Sequence, residues 1–172
     1  MKNSFCLFLV ILFVCCTRSP NIHVSFDSCQ FDTLCCKNMN ITQFCNSKTS
    51  ILVFYDSVGC MDCKIHEMFY WSNIIGYLES SNSDCGLKFI VSPSCSDSGR
   101  VHNYLRSLEF NYPIFFDINQ AFSHNNPMLY SKQYLGYNYL LKQDSIVVLK
   151  GNFLKNKKDF EKLTCELSHY EE

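Results

Sequence analysis

The chain has 172 residues, 47% of them hydrophobic and 15% aromatic, with a formal net charge of -1; this suits one compact domain plus a short extension. The near-neutral balance, with no cluster of Lys and Arg interleaved with aromatics, offers no surface for a phosphate backbone and excludes nucleic acid as an expected partner. Twelve cysteines are a heavy usage for a reducing compartment, so either an oxidising compartment or bound metal is implied.

In chain order, Lys2 supplies a positive start, Phe5 to Val14 is an unbroken apolar run, and Cys15-Cys16 follows. A spanning helix needs about 20 apolar residues, so this run reads as a secretory signal peptide over residues 1–15. The sequence Leu12-Phe13-Val14-Cys15-Cys16 resembles a loose lipobox of bacterial lipoproteins. That resemblance implies diacylglycerol on Cys16, or on Cys15 if the cut falls one residue earlier, and a chain tethered to a membrane; ordinary cleavage releasing a soluble protein is the alternative. Residues 16–48, with Cys29, Cys35, Cys36 and Cys45 among Asn, Ser, Thr and Asp, read as a cysteine-rich, loop-like leader. Structural bridges within that leader are the expected role of those four cysteines.

A domain over residues 49–172 follows. Ile51 to Tyr55 (ILVFY) has the continuous apolar character of a strand covered on both faces. Asp56 to Gly59 break it, and Cys63 to Leu78 carries Ile65, Met68, Phe69, Ser72, Ile75 and Gly76 at helical spacing. Leu87 to Ser92 is a second strand, Ser98 to Leu108 a helix, and Pro113 to Ile118 a third strand, an alternation that implies a parallel sheet. After a less regular stretch, Tyr137 to Lys142 and Ile146 to Lys150 flank Gln143-Asp144-Ser145 as an antiparallel hairpin. A helix from Asn156 to about Leu167 closes the chain.

A Cys-x-x-Cys after a buried strand and at the start of a helix has a physical rationale. The free amides and dipole of the helix N-terminus stabilise the thiolate of Cys60, and Cys63, one turn on and less accessible, can reach it as the resolving thiol. Lys64 would favour the thiolate, and Asp62 would oppose it by like charge.

Ile51 to Lys64, ILVFYDSVGCMDCK, resembles the strand and active-site loop of the thioredoxin superfamily, and Tyr112 to Asp117 (YPIFFD) resembles a strand of its TlpA-like and peroxiredoxin-like members. The likeness runs from about Thr49 to Cys165 and is most similar to small thioredoxin-like lipoproteins of the Bacteroidetes. It implies an α/β, thioredoxin-like fold whose central mixed sheet combines parallel strands with a C-terminal antiparallel hairpin, flanked by helices. It also implies a periplasmic thiol-disulfide oxidoreductase, by preference a reductase, with catalytic Cys60 and Cys63, protein disulfides or a redox protein as partner, and no cofactor. In the family an aromatic is common where Asp56 stands; Asp56 is a candidate for assisting proton transfer, a solvated loop aspartate being the alternative. A proline usually precedes the hairpin, where this chain reads Leu135-Gly136-Tyr137-Asn138-Tyr139.

Two other functions fit the same residues. One is an inactive thioredoxin-like adaptor binding a protein through the aromatic-rich stretch Phe110 to Phe116, or through Phe122 to Tyr139. The other is metal delivery, with His124 a conceivable third ligand beside the cysteine pair; since only Cys60 and Cys63 have pair spacing, no metal site is assigned.

Overall fold

The computed structural model describes residues 22–34, 47–81, 84–110, 112–129 and 138–169. The expected signal peptide, the lipid-attachment candidates Cys15 and Cys16, and Cys35, Cys36 and Cys45 lie outside them. The described chain runs β1 (Phe31–Leu34), β2 (Thr49–Tyr55), α1 (Met61–Met68), a 3-10 turn (Phe69–Trp71), α2 (Ser72–Ser80), β3 (Cys85–Val91), α3 (Ser98–Ser107) and β4 (Ile114–Asp117). It continues through α4 (Ala121–Asn125), a second 3-10 turn (Pro127–Leu129), β5 (Asn138–Lys142), β6 (Ile146–Gly151) and α5 (Lys157–Ser168).

The strands form one six-stranded sheet in the order β1-β4-β3-β2-β5-β6. β2, β3 and β4 are mutually parallel, while β5, β6 and β1 are antiparallel to their neighbours. The expected mixed sheet, parallel strands plus C-terminal hairpin, is therefore present. β2 sits between β3 and β5 and is covered on both faces, which is why its sequence is continuously apolar rather than alternating.

On one face, Ile51, Val53, Leu87 and Phe89 meet Ile65 of α1, Val101 of α3 and Leu163 of α5. The long helix expected from Cys63 to Leu78 begins at Met61 and is broken by the 3-10 turn. Across the break the buried positions Ile65, Met68, Trp71 and Ile74 lie three residues apart, the period of a 3-10 helix, and the 3.6 period resumes with Ile75, expected on the inner face, and Leu78. The tightening turns Trp71 inward against Phe89, ring centroids 5.8 Å apart, and leaves Phe69, Ser72 and Gly76, expected on the inner face, exposed.

The opposite face is covered without long helices. Leu52, Ile90, Tyr139 and Leu141 pack against Phe122 of α4, Leu129 and Val24. Val24 belongs to a segment, residues 22–30, that starts beside β6, where Val24 N–H donates to Ser145 O at 2.7 Å and Val147 N–H to Ile22 O at 2.9 Å. The segment then crosses the sheet as a strap and turns into β1 on the far edge. Buried Asn126 clamps its middle, accepting from Ser25 N–H and donating to Ser25 O, both at 2.7 Å. Part of the stretch expected to be loop-like thus supplies a strand and core side chains. Beneath the strap, Lys88 of β3 points into this face and pairs with Asp144 of the β5–β6 turn at 2.8 Å.

Candidate active site

β2 ends at Tyr55, and the next five residues reverse the chain into α1 at the C-terminal end of the parallel strands. Gly59 makes this possible with φ 82°, a left-handed conformation that a side chain would strain. Cys60 is the N-cap of α1 in extended conformation, and its Sγ accepts the backbone N–H of Cys63 at 3.2 Å. An amide of the helix N-terminus is thus aimed at the first sulfur, the arrangement that lowers the cost of a thiolate there. Cys60 and Cys63 are joined as a disulfide, Cα atoms 5.3 Å apart. Both residues are exposed. The expected lesser accessibility of Cys63 is not seen, because both cysteines lie in the first turn of a helix that emerges at the end of the sheet.

The three expected modulators are all held by partners. Asp56 does not stand free in solvent: its side chain is 13% exposed, its Oδ1 accepts from Val58 N–H at 3.0 Å, and it forms an ion pair with Lys64. The Lys64 ammonium also donates to Asp56 O at 2.9 Å, so its charge is committed to Asp56. Asp62, on the exposed side, pairs with Arg100 of α3 at 2.7 Å. Asp62, first by its hydrogen bond and then by its charge, raises the Arg100 pKa further. The attraction of Lys64 and the repulsion of Asp62 for a Cys60 thiolate are each offset by a neighbour of opposite charge.

A cleft of about 220 Å³ opens beside the disulfide, and its lining includes Tyr55, Asp56, Lys64, Glu67, Asn138 and Lys155 with both cysteines. Glu67 accepts from Lys155 at 2.6 Å. Burial, reinforced by the charge of Glu67, pushes the Tyr55 hydroxyl well above its ordinary pKa, so it stays protonated. Arg100, Glu67, Asn138 and Lys155 escape sequence reasoning. Arg100 and Lys155 come from other elements, and Asn138 reaches the cleft only through the pairing of β5 with β2. Glu67, four residues after Cys63, had a detectable signal in its i,i+4 spacing.

The other described cysteines are free thiols: Cys29, Cys85, Cys95 and Cys165. Cys29 therefore departs from the expected bridging role; it lies in the strap, partly buried against the cluster that holds Phe122. Burial, then the charges of Asp117 and Asp27, raise its pKa. Burial pushes the Cys85 thiol up to about 12. His124 lines a different cleft, with Ser57, Pro93 and Gln120. No group of three or more His, Cys, Asp or Glu side chains is gathered as a metal site among the described residues.

No protein-family model and no curated protein sequence matches the chain. Solved structures do. A thioredoxin-like protein solved in its oxidised form superposes with TM-score 0.51 at 13% identity over 87% of this chain and 94% of its own. The exposed lipoprotein thioredoxin of Streptococcus pneumoniae matches with TM-score 0.51 at 16% identity, over 80% of this chain and all of its own. The fold is thioredoxin-like, with its Cys-x-x-Cys closed as a disulfide. Among the described residues no helix is long and apolar enough to cross a membrane.

Proposed function

We propose that this chain is an extracytoplasmic thiol-disulfide oxidoreductase acting on protein disulfides, by preference as a reductase, and that a lipid on Cys16 tethers it to a membrane. The observation that carries the chemistry is the Cys60–Cys63 disulfide, open to solvent, with the Cys63 amide directed at Cys60 Sγ. In the reduced protein the Cys60 thiolate attacks one sulfur of a substrate disulfide. A Cys60–substrate bond forms and the other substrate sulfur leaves as a thiolate, taking up a proton. Cys63 then gives up its proton and attacks Cys60 Sγ, which re-forms the disulfide seen here and releases the second substrate thiol. Two electrons pass to the substrate per cycle, and an external dithiol restores the reduced pair.

Support for the extracytoplasmic setting comes from the apolar N-terminal run, the cysteine content and the fold shared with an exposed lipoprotein thioredoxin. Replacing Cys63 with Ser should leave Cys60 able to attack but unable to release, so substrate proteins accumulate as mixed disulfides visible on non-reducing gels. Cys60→Ser should trap none and abolish insulin-disulfide reduction. Full reductase activity in Cys60→Ser would overturn the assignment.

A further inference from the structure

A buried carboxamide stands in the wall of the dithiol cleft with an oxygen that has no hydrogen-bond partner among the described residues. Asn138 is the first residue of β5, set between Val53 of β2 and Gly151 of β6. It is 5% exposed, and its Oδ1 has no hydrogen-bond partner among the described residues. It lines the same cleft as Cys60 and Cys63. Buried amide oxygens are nearly always satisfied, because desolvation is otherwise uncompensated. An unsatisfied one beside a redox centre points to a donor that this state of the molecule lacks. The state is the disulfide, in which neither sulfur has a proton to give. Both ammonium groups of the cleft are already engaged, Lys64 by Asp56 and Lys155 by Glu67, and the Tyr55 hydroxyl of the same cleft makes no hydrogen bond to the Asn138 oxygen.

We propose that Asn138 is a positioning residue whose carboxamide accepts a hydrogen bond from the Cys63 thiol in the reduced protein, so that it favours the dithiol over the disulfide. The inference rests on the redox reading of the pair. Cys63 is the donor because Cys60 Sγ already receives an amide of the helix N-terminus, which favours the thiolate there and leaves the proton on its partner. A thiol is a weak donor, but it is one that reduction itself creates: two electrons enter, the Cys60–Cys63 bond breaks to leave the Cys60 thiolate, Cys63 takes up one proton, and an acceptor waits.

The test is the equilibrium constant for reduction of the full-length protein in dithiothreitol buffers, where the reagent is oxidised to its cyclic disulfide as the pair is reduced. The two forms are counted by alkylation and mass spectrometry of the peptide holding both cysteines. Asn138→Leu, similar in volume and without an acceptor, should lower that constant about tenfold, about 30 mV more reducing. Asn138→Asp, which keeps an acceptor, should stay at or above wild type; Asn138→Ala replaces the leucine variant if that fails to fold. In a Cys60→Ser background, Asn138→Leu should lower the Cys63 pKa, since the thiol loses its acceptor. Neither effect follows from packing alone. A constant within twofold of wild type, or an unmoved Cys63 pKa, overturns the role of Asn138. A wild-type pair that resists reduction below about -300 mV overturns the redox reading instead, so the two failures are distinguishable.

Discussion

Replacing Asp144 with Asn should unfold the protein at markedly lower urea, because it strands the Lys88 ammonium beneath the strap. The Lys88 side chain is 9% exposed and its Nζ lies 2.8 Å from Asp144 Oδ1. That oxygen also accepts from Ser50 Oγ at 3.1 Å, and the Phe26 ring centroid lies 5.7 Å from Nζ. Asp144 adopts φ 59°, a left-handed conformation that Asn tolerates. The substitution therefore removes the charge while keeping the backbone and an acceptor oxygen. Removing one partner of a fully buried pair costs about 3–5 kcal/mol. The Asp144 side chain is 35% exposed, so water reaches the pair, and the discounted cost is about 2 kcal/mol. With a urea slope of about 1–3 kcal/mol per M for a small domain, the midpoint falls by roughly 1 M. Equilibrium urea unfolding followed by Trp71 fluorescence reads this directly, since Trp71 is buried against Phe89. The double variant Lys88→Met with Asp144→Asn should recover most of the loss, because methionine fills the volume of the lysine stem and brings no charge. A midpoint shift under about 0.2 M, or a double variant no more stable than the single one, would refute the view that the charge at Lys88 needs Asp144.

Two further outcomes follow from other positions. Burial raises the Cys85 thiol from 9.0 to about 12, so the native state keeps a proton that the unfolded chain gives up. Its contribution to stability is whole below about pH 9 and falls as pH rises from there toward 12. Denaturant unfolding at pH 8 and pH 10.5 should therefore show a smaller loss in Cys85→Ala than in wild type, and equal losses would refute the assignment. At Gly151 a Cβ would lie 2.9 Å from both Asp159 Cβ and Phe153 Cε1, so Gly151→Ala forces backbone or helix α5 to shift at about 1–3 kcal/mol. Calorimetry should find its midpoint at least about 2 °C lower, and an unchanged midpoint would show that the contact relaxes freely.

The parts of this fold that can be read from sequence are those whose cause is local. β2 is recognisable because a strand buried on both faces must be apolar at every position, and the hairpin because Gln143-Asp144-Ser145 separates two such runs. The dithiol is legible for the same reason, lying where a buried strand gives way to a helix. β1 was hidden: its four residues are all half-buried, and it exists as a strand only because β4 offers an open edge. The strap owes its course to Asn126, about a hundred residues away, and no local pattern announces that clamp. The electrostatics of the site are equally non-local. Lys64 and Asp62 look like opposing influences on Cys60 until Asp56 and Arg100 are seen to hold them, and pairings eight and thirty-eight residues apart leave no periodic trace.

The strap also sets Ile22 and the disulfide at opposite ends of β2. Ile22 joins the sheet beside Val147, which pairs with Leu141 and through it lies level with Ser50 near the start of β2, whereas Cys60 follows the other end of that strand. Seven residues of β2, at about 3.3 Å each, separate the two poles by roughly 20 Å. A lipid on Cys16, as proposed, would hold the domain by the base of the sheet and leave the sulfurs at the far end, open to proteins arriving from solution.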